Sequence, residues 1–322
     1  MRNEKWEMSG VKFGVQASQG NTTWPELLDL WRELDQDSEF DYLWLVDHFV
    51  PGQGTAMGAD GPHLEGWTAL AALAQATERV RIGPLVTGNT YRHPAVLAKM
   101  ATTVDHISNG RLEFGLGAAW HQYEHEAFGI PFHTVRERLE RLEEAAHLIK
   151  LLWTEARPKF EGKYYQLREP PYNPPNVQQP HPPVVIGGGG EKRTLRTVAR
   201  YADACNVSGT PEEVQHKFEV LEQHCRDIGR DTATIRRTIQ VLLFLNEDPA
   251  FQQRVVQGVM AFRGSSEDDA RRSVLMGSVD DVRAGVQSFI DAGVQEMYLA
   301  QFPRTHRESL LRFSKEVVPA FR

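Results

Sequence analysis

The chain of 322 residues has little cysteine and no long apolar run. Its two cysteines, Cys205 and Cys225, lie far apart, which argues against a disulfide framework or a thiolate metal site and predicts two reduced packing residues. No stretch reaches the ~18 apolar residues of a membrane-spanning helix. The polar start MRNEKWEMSG has no apolar signal-peptide region. We therefore expect a cytoplasmic protein.

Blocks of basic residues are also missing. The 36 basic and 43 acidic residues give a net charge of −7, spread along the chain. Phosphate backbones and anionic lipids bind to clustered positive charge, so neither nucleic acid nor a membrane is expected as a partner. The hydrophobic fraction of 41% is ordinary for a globular protein.

Short β-rich segments alternate with helical patterns along the whole chain. Several segments are continuously apolar, which is typical of parallel strands covered on both sides. Strand–helix alternation with eight strands predicts a closed (β/α)8 barrel, and a doubly wound open sheet is the alternative. The eight segments are VKFGVQ (11–16), YLWLVD (42–47), VRIGPLVT (80–87), LEFGLG (112–117), VVIGG (184–188), ACNVSG (204–209), RTIQVLLFL (237–245) and EMYLAQ (296–301).

Two intervals interrupt this rhythm. Residues 157–183 hold eight of the 18 prolines, so they cannot form an ordinary crossover helix, and we predict an insertion before the fifth strand. Within it, KFEGKYYQL has the pattern of a small hairpin. Residues 247–277 are charged and predict a helical excursion before the eighth strand. With these insertions, residues 1–322 are expected to form one barrel domain.

Chemistry in a barrel of this type is built at the carboxyl ends of the strands, so the residues there are the first candidates. Asp47 and His48 follow the second strand. Histidine exchanges protons near neutral pH, and a neighbouring carboxylate can fix its tautomer. The pair is our candidate for catalysis, and a capping Asp beside a packing His is the alternative.

The third and fourth strands end in groups suited to a flat ligand. Thr87 and Asn89 can bond to the polar edge of a ring, although turn chemistry also explains them. Gly117 and Ala118 allow close approach of the backbone, and Trp120 can pack on the ligand. A dinucleotide-binding GxGxxG loop is not indicated, because Trp120 replaces its third glycine.

Four glycines, Gly187, Gly188, Gly189 and Gly190, follow the fifth strand and precede the helical pattern EKRTLRTVARYA. Their backbone N–H groups can surround an anion at the start of a helix. No GK[ST] follows, so this is not a nucleotide-binding P-loop. We predict that the glycines bind an anion, for which phosphate is the obvious candidate, and a merely tight turn is the alternative.

The segment from His121 to His125 matches the HxxEH pattern of inverted zinc proteases. A zinc hydrolase would bind its metal there. A pentapeptide match is common by chance, and neither a cysteine cluster nor an obvious third ligand supports it. We predict no metal site and take Glu124 as a polar contact of the ligand.

In combination, these segments resemble the luciferase-like flavin-dependent oxidoreductases, in particular the branch that uses the deazaflavin coenzyme F420. The resemblance implies a barrel with insertions, a cis peptide bond at Leu85–Val86 that supports the flavin ring, a phosphate site at Gly187 to Gly190, and a homodimer. It covers DHF (47–49), GPLVTGNTYRHP (83–94), DHISNGRLEFGLG (105–117), Trp120 with Glu124, PPVVIGGGGEKRTLRTVARYADACN (182–206) and EMYLAQ (296–301).

The implied activity is hydride transfer between coenzyme F420 and a small organic substrate. An FMN-dependent monooxygenase on the same barrel is the alternative, and a flavin-binding protein without catalysis is a third possibility. Sugar-phosphate dehydrogenases of this family place a proton-donating glutamate where this chain has Trp120. That difference argues against glucose 6-phosphate as the substrate.

Overall fold

A ring of parallel strands forms the centre of the computed structural model, which describes residues 10–52, 58–301 and 305–322. Every predicted strand segment contains an observed strand. The strands are β1 (Lys12–Gln16), β2 (Tyr42–Leu45), β3 (Arg81–Pro84), β4 (Thr87–Gly88), β5 (Phe114–Gly117), β6 (Lys159–Glu161), β7 (Gln166–Arg168), β8 (Val184–Gly187), β9 (Ala204–Val207), β10 (Arg236–Phe244), β11 (Val274–Met276) and β12 (Glu296–Ala300).

The strand order closes the ring. It runs β3-β2-β1-β12-β10-β9-β8-β5-β4, and β3 and β4 are two halves of one interrupted strand. A parallel bridge between Ile82 and Leu112 joins β3 to the start of the β5 segment. The predicted (β/α)8 barrel with insertions is therefore confirmed, and an open doubly wound sheet is not formed.

Helices surround the ring, and their starts follow from the sequence. Thr23 and Thr210 each form a capping box with a glutamate three residues later, and Ser278 forms one with Asp281. No helix in the described ranges is long and apolar enough to cross a membrane. The helices are α1 (Trp24–Asp37), α2 (Gly66–Ala76), α3 (Pro94–Ile107), α4 (Gln122–Ala127), α5 (Val135–Thr154), α6 (Thr194–Tyr201), α7 (Pro211–Asp227), α8 (Pro249–Arg263), α9 (Glu267–Arg272), α10 (Val279–Asp291) and α11 (Arg307–Glu316).

Charged side chains close the amino-terminal end of the barrel. Arg236, at the start of β10, donates to Glu113 (2.6 Å) and to Glu296 (3.1 Å), and Tyr42 also donates to Glu296 (2.9 Å). Burial opposes ionisation of Glu113, but Arg236 and Arg81 outweigh it and lower its pKa. Because each buried charge has a partner, the network fills this end of the barrel without an uncompensated ion.

Both predicted insertions are present. Strands β6 and β7 pair antiparallel, which confirms the hairpin. The second interval carries α8 and α9 as predicted, and it also contains β11, which the sequence pattern did not indicate. This three-residue strand pairs with the last three residues of β10, and only the first of them, Leu242, also pairs with β12.

Candidate active site

The third strand is interrupted where the resemblance predicted. The Leu85–Val86 peptide bond is cis, which confirms that prediction. The carbonyl of Leu85 accepts a hydrogen bond from Gln16 Nε2 (2.8 Å), and Gln16 in turn accepts one from Gln240 Nε2 (2.8 Å). A chain of two glutamines inside the barrel thus holds the bulge in place.

Val86 lies against positions that must lack a side chain. A Cβ atom at Gly117 would lie 2.7 Å from Val86 Cγ2, and one at Gly187 would lie 3.0 Å from both methyl groups. Glycine at these ends of β5 and β8 therefore lets Val86 extend across them. The half-buried valine forms an apolar floor at the carboxyl end of the barrel.

His48 is held by a buried carboxylate from another loop. Its Nδ1 lies 2.7 Å from Glu124 Oε1, and the backbone N–H of Phe49 donates to Glu124 Oε2 (2.9 Å). The hydroxyl of Tyr91 donates to Oε1 as well. Burial opposes ionisation of Glu124, but the bonds from His48, Tyr91 and Phe49 outweigh it and lower its pKa to about 2.

An ionised Glu124 accepts a hydrogen bond from the Nδ1–H of His48 and so fixes which ring nitrogen carries hydrogen. The other nitrogen, Nε2, has no hydrogen bond to the described residues, and 22% of the side chain is exposed. His48 therefore presents Nε2 to the open end of the barrel. This nitrogen can exchange a proton with a ligand oxygen.

Asp47 does not orient His48. It forms a bidentate ion pair with Arg92 (2.7 and 3.0 Å) and accepts a hydrogen bond from Thr87. The indole N–H of Trp67 donates to the Thr87 hydroxyl (3.0 Å), and Arg92 also contacts Glu65. Adjacent residues at a strand end point in different directions, so Asp47 joins a buried structural network while His48 faces the opening.

Asn89 offers an unused acceptor close to the floor. Its backbone N–H donates to the carbonyl of Gly117 (2.9 Å), and its Nδ2 lies 3.5 Å from the Tyr165 hydroxyl of the inserted hairpin. Its Oδ1 is buried without a hydrogen-bond partner. A buried acceptor without a donor costs stability, and a ligand N–H or O–H would satisfy it.

The four glycines form a cradle after β8. Gly188 has φ +124°, a conformation that side-chain-bearing residues rarely adopt. A Cβ at Gly189 would lie 2.8 Å from Cε of Lys217, and one at Gly190 would lie 2.9 Å from the Thr194 hydroxyl. Helix α6 begins at Thr194 without a side-chain cap. The N–H of Gly188 donates to the carbonyl of Asn206 (3.0 Å), and Lys217 donates to the carbonyl of Ser208 (2.8 Å). The N–H groups of Gly189 and Gly190, beside this lysine, are the ones that suit an anion such as phosphate.

Aromatic side chains line the opening. The ring of Trp120 contacts that of His48 edge to face at 5.4 Å, and Trp120 is 49% exposed. Phe262 of α8 lies 6.1 Å from Trp120. The sequence patterns did not single out Phe262, because a helical excursion does not reveal which of its faces lies over a barrel.

The remaining histidines near His48 are engaged or buried. His125 bonds to Thr90 through Nε2 (2.7 Å) and to the carbonyl of His121 through Nδ1 (2.8 Å). Both ring nitrogens of His63 are buried without a hydrogen-bond partner. Burial, and next the nearby His48, lower the pKa of His63 to about 4. His63 is therefore neutral at pH 7.

Comparisons with known proteins place these features in a family context. The family model for luciferase-like monooxygenases matches residues 8–318. An F420-dependent glucose-6-phosphate dehydrogenase of Kineococcus radiotolerans is 29% identical, over 97% of both chains.

Two solved structures have the same fold. An F420-dependent secondary alcohol dehydrogenase in complex with an F420–acetone adduct gives a TM-score of 0.84 at 19% identity, over 97% of this chain and 99% of the other. The F420-dependent tetrahydromethanopterin reductase of Methanopyrus kandleri gives 0.81 at 19% identity, over 98% of this chain and 100% of the other.

Proposed function

Because the chain belongs to the luciferase-like monooxygenase family, we propose that it is an oxidoreductase that transfers hydride between coenzyme F420 and a small organic substrate. One observation carries the proposal. The third strand, with the Val86 floor, lies between β2, which leads to His48, and β5 and β8, which lead to the glycine cradle. A flat cofactor ring that lies on Val86 would have the glycine cradle, and with it the cofactor's phosphate, on one side and His48 on the other. The choice of a deazaflavin is supported by the similarity to an F420-dependent dehydrogenase.

The chain's residues fit such a cofactor. We assign Leu85 and Val86 to the support of the ring and Gly187 to Gly190 to the phosphate. The orphaned Oδ1 of Asn89 is a candidate acceptor for a ring N–H. Further contacts are assigned to the ends of the third and fourth strands, namely Thr87, Gly117, Ala118 and Trp120. Glu124, whose carboxylate already binds His48, acts on the site by positioning that histidine.

His48 supplies proton transfer. When bound, a deazaflavin accepts or donates a hydride. In the direction of oxidation, the substrate's carbinol C–H bond breaks, both electrons of that bond leave with the hydride, and the hydroxyl proton passes to His48 Nε2, so that an alcohol becomes a carbonyl compound. We assign Asp47 to the site as the residue that holds Arg92 and Thr87 in place.

Cofactor binding and oxygen use test this function. The purified protein is titrated with coenzyme F420 and, in parallel, with FMN, and each complex is then mixed with candidate substrates in stopped flow. We expect binding of the deazaflavin, its reduction or oxidation by substrate, and no oxygen uptake. Oxygenation of a substrate by the FMN complex, after the flavin has been reduced with dithionite and mixed with oxygen, would instead establish the monooxygenase. Retention of the deazaflavin without any hydride exchange would leave a binding protein.

We further propose that residues 1–322 act as one barrel domain, in the cytoplasm, and as a homodimer. Val96 and Ile107 on α3 expose apolar surface that a second subunit would cover. Size-exclusion chromatography with light scattering at micromolar concentration should give the mass of a dimer. A monomer under these conditions would refute the assembly.

A further inference from the structure

An aromatic wall stands beside His48 at the opening of the barrel. It consists of Trp120, after β5, and Phe262, at the end of α8. The two rings meet edge to face with centroids 6.1 Å apart, and Phe262 is 59% exposed. Trp120 also contacts the His48 ring. Two large exposed rings next to a proton-transfer group indicate a surface that is covered when a ligand binds.

The arginines described at the end of α8 and on α9 already have anionic partners. Arg263, the neighbour of Phe262, donates to Glu213 (2.7 Å). On α9, Arg271 donates to Glu267 (2.8 Å), and Arg272 pairs with Glu212. A phosphate or carboxylate on the substrate would therefore meet cations that already have partners, together with the glutamates that pair with them.

His48 supplies a polar anchor next to the wall. Its Nε2 is open and lies beside the wall, so it can bond to an alcohol or carbonyl oxygen, while the apolar remainder of the substrate lies on the two rings. We propose that the substrate is a neutral, apolar alcohol or ketone, bound through its oxygen to His48 and through its hydrocarbon part to Trp120 and Phe262. The inference rests on the proposed function and gives that site its substrate class. It excludes a sugar phosphate.

A dead-end complex tests the substrate class without turnover. Acetophenone cannot accept hydride from an oxidised deazaflavin, so its binding to the protein loaded with oxidised coenzyme F420 can be followed by calorimetry. The matched anion is 4-acetylbenzoate, which adds one carboxylate to the same ketone. We expect acetophenone to bind at least about tenfold more tightly, because the anion must desolvate its charge beside arginines that already have partners.

Variants locate the binding surface. Phe262→Ala should weaken acetophenone binding about tenfold, which is the effect of losing one large apolar contact, while F420 binding stays the same. Ile228→Ala is the matched control, since it removes an exposed apolar side chain at the end of α7, whereas it is the start of α7 that contacts Arg263 beside the wall. This control variant should bind both acetophenone and F420 as tightly as the unchanged protein.

The outcomes separate this inference from the proposed function. Equal binding of both ketones, tighter binding of glucose 6-phosphate, or no effect of Phe262→Ala would overturn the substrate class, even if the protein binds F420 and exchanges hydride. Absence of F420 binding, measured by quenching of the coenzyme's fluorescence, would overturn the function. In that case the same titrations on the cofactor-free protein still decide whether the wall prefers the neutral ketone.

Discussion

Nδ1 of His48 and Oε1 of Glu124 lie 2.7 Å apart, although 76 positions separate the two residues in the chain. The loop after β2 and helix α4 meet through this contact. Both carboxylate oxygens are occupied, because the Phe49 N–H binds the second one. The protonation pattern of the histidine is therefore set by a residue from a different βα loop, and this arrangement can be tested.

Replacing Glu124 by glutamine should lower turnover more than cofactor binding. The amide is close in size to the carboxylate but is uncharged, so it no longer favours a proton on Nδ1 of His48. Loss of such an orienting partner typically costs about 10–100-fold in activity. We expect kcat to fall by that amount with KM and the Kd for F420 nearly unchanged. Glu124→Asp should restore part of kcat, whereas a purely structural role would give lower thermal stability with normal kcat.

His48→Ala should remove proton transfer while leaving the fold intact. Positioned acid–base groups contribute about 10²–10⁴-fold to rate, and the cofactor's phosphate is assigned to a distant loop. Rapid-reaction kinetics should show the loss in hydride exchange, and equilibrium titration should show retained F420 affinity. A folded variant with full turnover would make His48 a packing residue.

Asp47→Asn should mainly lower the free energy of unfolding. The change removes one charge from a buried ion pair and leaves Arg92 with Glu65 as its remaining anionic contact. Breaking a buried pair costs on the order of 3 kcal/mol. Urea unfolding should report a loss of this size, with Asp280→Asn, an exposed acid on α10, as a near-silent control. Unchanged unfolding together with lost turnover would instead place Asp47 directly in the chemistry.

Gly188→Val should weaken binding of F420. Valine is strained at φ +124° and narrows the approach to the backbone N–H groups of the cradle. We expect a Kd increased at least about tenfold and a folded barrel by circular dichroism. Gly229→Val is the matched control, since Gly229 also has positive φ (+69°), lies just after α7 and has open space around it. Similar F420 affinity in both variants would remove the glycine cradle from the site.

Stability should fall as the pH drops from about 6.5 to about 4. In this window His63 becomes protonated in the unfolded chain but remains neutral in the folded one, because its pKa is lowered to about 4. The contribution of His63 to the free energy of unfolding is therefore complete above pH 6.5 and is lost as the pH falls through 4. Between pH 7 and pH 5 we expect a loss on the order of 1 kcal/mol in urea unfolding. His63→Gln should reduce this loss, and an identical pH dependence would contradict the assignment.

The sequence predicted those features that depend on local pattern. Continuous apolar segments marked the strands, and the four glycines at 187–190 marked a cradle, because close backbone approach requires residues without side chains. Contacts between residues that are far apart in the sequence could not be predicted in this way. Glu124 was chosen as a ligand contact, but its pairing with His48 arises only when two loops meet. Tyr165, in a proline-rich insertion, reaches Asn89 for the same reason.

The charged network at the amino-terminal end of the barrel also bears on the order in which coenzyme and substrate bind. In the described chain that end is filled by Arg236, Glu113 and Glu296. Ligands are therefore expected to enter and leave through the carboxyl-terminal opening. On the proposed assignments, a coenzyme ring on Val86 would lie deeper than a substrate on Trp120 and Phe262. We therefore expect steady-state kinetics of an ordered sequence, in which the coenzyme binds first and the ketone leaves before the reduced coenzyme.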